Sequence, residues 1–148
     1  MKSAIASLAG SVALLGCFHT GPTLKPDAEH VTLGADEAAR MARAIAATTE
    51  RKYTPGGTVF RLRTDGALHR SLDRRLRGLG YAMQGQPGKP SAKDAARPAT
   101  PIRLALDALG PTHYRVSAWI GEADSTHFLF LKTREGPQLE SVTQGRLR

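Results

Sequence analysis

At 148 residues the chain suits one domain of ordinary size and leaves little for a second. Hydrophobic residues make up 41% and aromatics only 5%, so a packed core must be built mostly from Ala, Leu, Val and Ile. A formal net charge of +8 draws the surface to polyanions (nucleic acid, anionic lipid headgroups or an acidic protein) without choosing among them, and a single cysteine excludes an intrachain disulfide.

The N-terminus has the form of an export signal. Lys2 supplies a short positive start, and Ala4 to Gly16 is an uncharged, largely apolar run of 13 residues. A run that short falls below the roughly 20 residues a membrane-spanning helix needs. It ends in Leu14-Leu15-Gly16-Cys17, which resembles the lipobox of bacterial lipoproteins. The resemblance implies cleavage after Gly16, diacylglycerol on the Cys17 sulfur and acylation of the new amino terminus. More than one fatty chain is what makes such anchoring stable. Phe18 follows, where an Asp commonly retains lipoproteins in the inner membrane, so the outer membrane is the expected address. Removal of residues 1–16 leaves 20 basic against 13 acidic residues, or +7. Residues 17–32 contain Gly21, Pro22 and Pro26 and little periodicity, and read as a lipidated tether ahead of one α+β domain over 33–148.

A helix is expected from about Asp36 to Lys52. Asp36 and Glu37 suit its positive end, Arg51 and Lys52 its negative end, and Ala38, Met41, Ala42, Ile45 and Thr49 make one buried face. Pro55-Gly56-Gly57 turns the chain into a strand at Thr58 to Leu62. Asp65 is placed to cap a second helix, about 66–78, with Leu68, Leu72, Leu76 and Leu79 as its stripe and Gly78 or Gly80 as its end. Tyr81-Ala82-Met83 is a second short strand, so the run reads as a βαβ-like unit.

Residues 85–101 hold four prolines and two glycines and read as an exposed loop. Beyond it the chain alternates. Ile102, Leu104 and Leu106 alternate with Arg103, Ala105 and Asp107, and Tyr114, Val116, Ala118 and Ile120 with His113, Arg115, Ser117 and Trp119. Trp119 thus falls on the polar side of its strand; cover by the helix pair is the first reading, an anchor for another subunit the second. His127 to Lys132 is a third strand, and Leu139 to Thr143 a short fourth. Phe128, Leu129, Phe130 and Leu131 are apolar on both faces, so that strand is either covered on both sides or offers Leu129 and Leu131 to a partner. The fold expected is two helices on one face of a small, mainly antiparallel sheet.

Reactive constellations are hard to find. His19, His30, His69, His113 and His127 show no helical metal spacing, and no second cysteine joins them. His113 and His127 lie on neighbouring strands and could face each other. Gly85-Gln86-Pro87-Gly88-Lys89-Pro90-Ser91 has the look of a phosphate loop but fails, because Pro90 stands where the hydroxyl residue is needed and lacks the amide hydrogen. No enzyme, cofactor, metal or small-molecule substrate is expected beyond the covalent lipid. Arg70, Arg74, Arg75 and Arg77 on the second helix read first as a solvated face, interrupted by Asp73, and second as contacts to anionic lipid or an acidic subunit. An export signal makes nucleic acid an unlikely partner.

Tyr53-Thr54-Pro55-Gly56-Gly57-Thr58-Val59, Arg77-Gly78-Leu79-Gly80-Tyr81-Ala82, and Ile102-Arg103-Leu104-Ala105-Leu106-Asp107 with Tyr114-Arg115-Val116 follow the lipobox in an order that resembles the TrbH family of conjugative-transfer lipoproteins. The stretch after Lys132 resembles it least. The resemblance implies an outer-membrane component of a conjugative type IV secretion complex for mating-pair formation, with a structural role. Cys17 would carry the lipid, and the domain, facing the periplasm, would bind other envelope subunits. The competing expectation is a stand-alone periplasmic lipoprotein that binds a small ligand or cell-wall polymer, which a deep pocket with convergent polar groups would favour.

Overall fold

The computed structural model describes residues 28–62, 65–84, 98–122 and 124–146. In chain order they form β1 (Ala28–Glu29), α1 (Ala35–Glu50), β2 (Val59–Leu62), α2 (Ala67–Gly78), β3 (Ala82–Gln84), β4 (Thr100–Leu109), β5 (His113–Ile120), β6 (Asp124–Thr133) and β7 (Gly136–Arg146). Cys17 and residues 85–97 lie outside the described residues.

Helix α1 buries the face its spacing sets out: Ala38, Met41, Ala42, Ile45, Ala46 and Thr49. At its start the Glu37 carboxylate accepts the Gly34 backbone N–H at 2.9 Å, which satisfies one donor that has no partner in the helix. Helix α2 buries Leu68, Leu72 and Leu76. Its end is a Schellman turn: Gly80 takes φ 88°, its N–H donates to the Arg77 carbonyl at 3.0 Å, and the Tyr81 N–H donates to the Leu76 carbonyl at 3.1 Å.

The start of α2 departs from expectation. Its N-cap is Gly66, not Asp65, and Gly66 brings no side chain. The carboxylate at this end comes from Glu29 on β1, which accepts the His69 backbone N–H at 3.4 Å and His69 Nδ1 at 2.6 Å. An anion from a distant strand therefore sits at the positive end of α2. The fit requires a glycine: a Cβ on Gly66 would stand 1.8 Å from Glu29 Cδ. The stretch read as tether thus has its last residues in the fold. Ala28 and Glu29 pair with Ala105 and Leu106 of β4, and the His30 N–H donates to the Leu106 carbonyl at 3.1 Å.

The described strands make one sheet in the order β3-β2-β4-β5-β6-β7, with β1 also on β4. β2, α2 and β3 form the expected unit, with β2 and β3 adjacent and parallel. β2 also pairs parallel with β4, beyond which β4-β5-β6-β7 is an antiparallel meander. The fold is therefore α+β. Both helices share one core with the inner sheet face, built from Phe60, Leu62, Ile102, Leu104, Leu106, Val116, Ala118, Phe128 and Phe130. Tyr81 closes one end: its ring lies 5.2 Å from Phe60, and its hydroxyl donates to the Tyr53 carbonyl at 2.5 Å.

Two boundaries move. β4 begins at Thr100, inside the expected loop of 85–101. The last strand is the longest, with 11 residues and a bulge opposite Leu129/Phe130, where a short strand over 139–143 was expected.

Candidate interaction surface on the helix-free face

Strand alternation sends every second residue of β4, β5 and β6 away from the helices. Arg103, Ala105 and Asp107 of β4, Arg115, Ser117 and Trp119 of β5, and Ser125, His127, Leu129 and Leu131 of β6 share this outer face. Register brings them together: Arg103 is opposite Trp119, Asp107 opposite Arg115, Ser117 opposite His127, and Arg115 opposite Leu129. Trp119 therefore lies on the side of the sheet away from the helix pair, and the expectation that the helices cover it is not met. The reason is its parity in β5: Ala118 and Ile120 point to the core, so Trp119 cannot.

Leu129 and Leu131 lie on the same face, half-buried, while Phe128 and Phe130 fill the core behind them. The two-sided apolar strand thus has one face against the helices and the other on a surface where no described helix packs. Ala105 and Ser117, small residues at the centre of this face, are as buried as the core. They sit among the longer side chains of Arg103, Asp107, Arg115, Trp119 and His127.

The polar groups here form short links. An Arg115 Nη donates to Asp107 at 3.0 Å, the Ser117 hydroxyl meets His127 Nδ1 at 2.9 Å, and His113 Nε2 lies 3.1 Å from Glu140. His113 is opposite Leu131 and His127 opposite Ser117, so the two histidines do not face each other as a pair. Burial, and secondarily the Arg115 charge, lowers the His127 pKa, which favours the neutral ring at neutral pH. The Nε atoms of Arg103 and Arg115 are buried without a hydrogen-bond partner.

Arg70 and Arg74 belong to a different surface. Both are exposed on α2, on the other side of the sheet from Trp119, Leu129 and Leu131. Arg70 donates to the Asp65 carbonyl at 3.2 Å, and Arg77 pairs with Asp73 at 2.9 Å. The sequence-selected residues therefore divide into one cluster on the sheet and two arginines behind it. Arg103 and His127 complete the cluster. Their signal in the sequence was only the alternation that put them on Trp119's side.

A cleft of about 630 Å³ lies between the C-terminal end of α1 and the ends of β5, β6 and β7. Its polar groups are mostly engaged with the protein itself. Thr48 and Thr49 donate to the Ala44 and Ile45 carbonyls, Ser125 donates to the Gly145 carbonyl, and Lys52 pairs with Asp124. Convergent free donors and acceptors, which a ligand pocket needs, are not what this lining offers. Among the described residues no group of three or more His, Cys, Asp or Glu side chains could hold a metal ion.

The family model for conjugal transfer protein TrbH matches residues 21–142. The chain belongs to the TrbH family. The TrbH match includes β1 and runs past Lys132 into β7, so it takes in residues 133–142 of the stretch that resembled the family least. It begins after Cys17, and so speaks for the domain and not for the anchor. TrbH proteins are components of conjugal transfer rather than a known enzyme family, which places this chain's role in conjugation. No curated protein and no solved structure matches the chain. No helix among the described residues is long and apolar enough to cross a membrane.

Proposed function

We propose that the protein is a structural lipoprotein of a conjugative type IV secretion complex, held on the outer membrane by lipid on Cys17, with its domain docked to other envelope subunits. The observation that carries the docking role is the helix-free sheet face. It gathers the single tryptophan of the chain, two leucines and two buried guanidinium nitrogens on a surface over which no described helix packs. The lipobox at Leu14 to Cys17 supports the anchor, and membership of a conjugal transfer family supports the setting. A small-ligand role would fall to the cleft beside α1, where the Thr48, Thr49 and Ser125 hydroxyls are already used within the fold.

The test is genetic and chemical together. A clean deletion lowers DNA transfer between mating cells. The wild-type gene restores it and the Cys17→Ser variant does not. Mass spectrometry of the membrane-extracted protein finds a mature N-terminus at a triacylated Cys17. Undiminished transfer in the deletion strain refutes the conjugative role, and an unmodified Cys17 refutes the anchor.

A further inference from the structure

We propose that the helix-free face binds an acidic segment of its partner, with carboxylates seated on Arg103 and Arg61 beside Trp119. This inference deepens the docking role proposed above and rests on it.

Charge on this face is unequal once its internal pairs are removed. Asp107 is engaged by Arg115, and Glu140 by His113. His127 is held towards its neutral form by its surroundings. Two arginines remain. Arg61 of β2 is opposite Pro101, and Arg103 lies two residues further along β4, so both project from the same side of adjacent strands. Neither makes an ion pair among the described residues.

Arg103 is the more telling of the two. Its Nε is shielded from water yet has no partner, and the same holds for Arg115 Nε. A buried donor without an acceptor is uncommon in folded proteins, and a guanidinium keeps its charge throughout the accessible pH range. The guanidinium fork matches a carboxylate in two-point geometry. Nε itself is closed to a ligand, but the terminal guanidinium nitrogens of Arg103 also lack an acceptor among the described residues, and a carboxylate arriving on this face would supply one. Trp119, directly opposite Arg103, provides an amphipathic ring beside that carboxylate, and Leu129 and Leu131 provide apolar contact. A basic segment would meet surplus positive charge, and a purely apolar one would leave the arginine donors unpaired.

The experiment uses the full-length protein in mating cells, with the photocrosslinking residue benzoylphenylalanine in place of Leu129. The captured segment is read by mass spectrometry. The expected adduct is with a segment of net negative charge in another envelope subunit. Arg103→Glu reduces its yield by roughly tenfold or more, while Arg74→Glu on α2 leaves it unchanged. Exchanging the captured acidic residue for arginine restores the adduct in the Arg103→Glu background. Arg103→Gln, which keeps a polar side chain, guards against misfolding as the cause and gives an intermediate loss. Capture of a neutral or basic segment, capture of a second copy of this chain, an adduct indifferent to Arg103→Glu, or no adduct overturns the inference. Transfer by the deletion strain is scored alongside. If deletion abolishes transfer while Arg103→Glu spares it, the acidic-partner inference fails and the conjugative role stands.

Discussion

Gly66→Ala isolates a long-range cap. The backbone at Gly66 has φ −108° and ψ 173°, an extended conformation that alanine adopts freely, so the substitution brings no backbone strain. The obstacle is the Glu29 carboxyl group, whose oxygens would lie 1.9 and 2.0 Å from the new Cβ. No real Cβ makes such contacts, so Glu29 must leave. Its departure removes the anion from the N-terminus of α2 and strands His69, which is 1% exposed and whose Nε2 already has no partner. A hydrogen bond to a charged group contributes about 1.5–3 kcal/mol, and an anion at a helix N-terminus about 0.3–1 kcal/mol. The expected cost is therefore about 2–4 kcal/mol. Glu29→Ala removes the same contacts and costs a similar amount. The double variant costs little more than either single one, because the interaction can be lost only once. Urea denaturation of the detergent-extracted protein measures all three, with the fluorescence of Trp119, the single tryptophan, as reporter. If Gly66→Ala is as stable as the parent, or if the two costs simply add, the cap from β1 does not operate as described.

The other predictions concern separate parts of the molecule. Tyr81→Phe deletes the hydroxyl donated to the Tyr53 carbonyl at 2.5 Å and lowers stability by about 1 kcal/mol in the same denaturation assay. Gly80→Ala puts a side chain at φ 88° in the turn that ends α2, and costs about 1 kcal/mol. The folded-state pKa of His127 is below its unfolded value, so the unfolded chain binds the proton first. Stability is fully present above about pH 6.5, declines as pH falls below that value, and levels off below the folded pKa. His127→Gln makes this part of the stability–pH curve flatter than in the parent, and an unchanged slope would assign the dependence to another group. Trp119→Ala lowers DNA transfer with little change in helical content by circular dichroism, whereas Leu72→Ala, in the core, costs about 2–5 kcal/mol. Equal loss of fold in both variants would show that Trp119 serves packing alone.

Much of the architecture was legible because burial on one side leaves a period in the sequence. Met41, Ala42 and Ile45 mark α1, Leu68, Leu72 and Leu76 mark α2, and the alternations around Leu104 and Val116 mark β4 and β5. What stayed hidden had no period to leave. β1 is two residues whose strand character comes from pairing with β4 far along the chain, so local propensity could not reveal it. β7 is an edge strand, exposed over most of its length, with Leu139 at 45% and Val142 at 40% exposure, so neither face imposes a clear alternation. Asp65 was the natural cap by proximity, but the carboxylate at α2 arrives from Glu29 through the tertiary fold. At the candidate surface, parity alone set Trp119, Leu129 and Leu131 apart from the core. Which of their neighbours were paired and which left over depended on cross-strand register, and that is why Arg103 carried no signal of its own.

The pairing of β1 with β4 also determines how the domain would respond to a pull from the membrane. With lipid at Cys17, only ten residues, 18–27, separate the anchor from Ala28, a leash of at most about 40 Å when fully stretched. Tension along that leash reaches the fold first at a two-residue strand held by few hydrogen bonds. Peeling it away withdraws Glu29 from the start of α2, so the piece that yields first under load is also the stopper of a helix. Under the anchoring and docking proposed above, any loads between the membrane and a docked partner would take this path. The domain would register them as a loosened α2 well before its meander of long strands came apart.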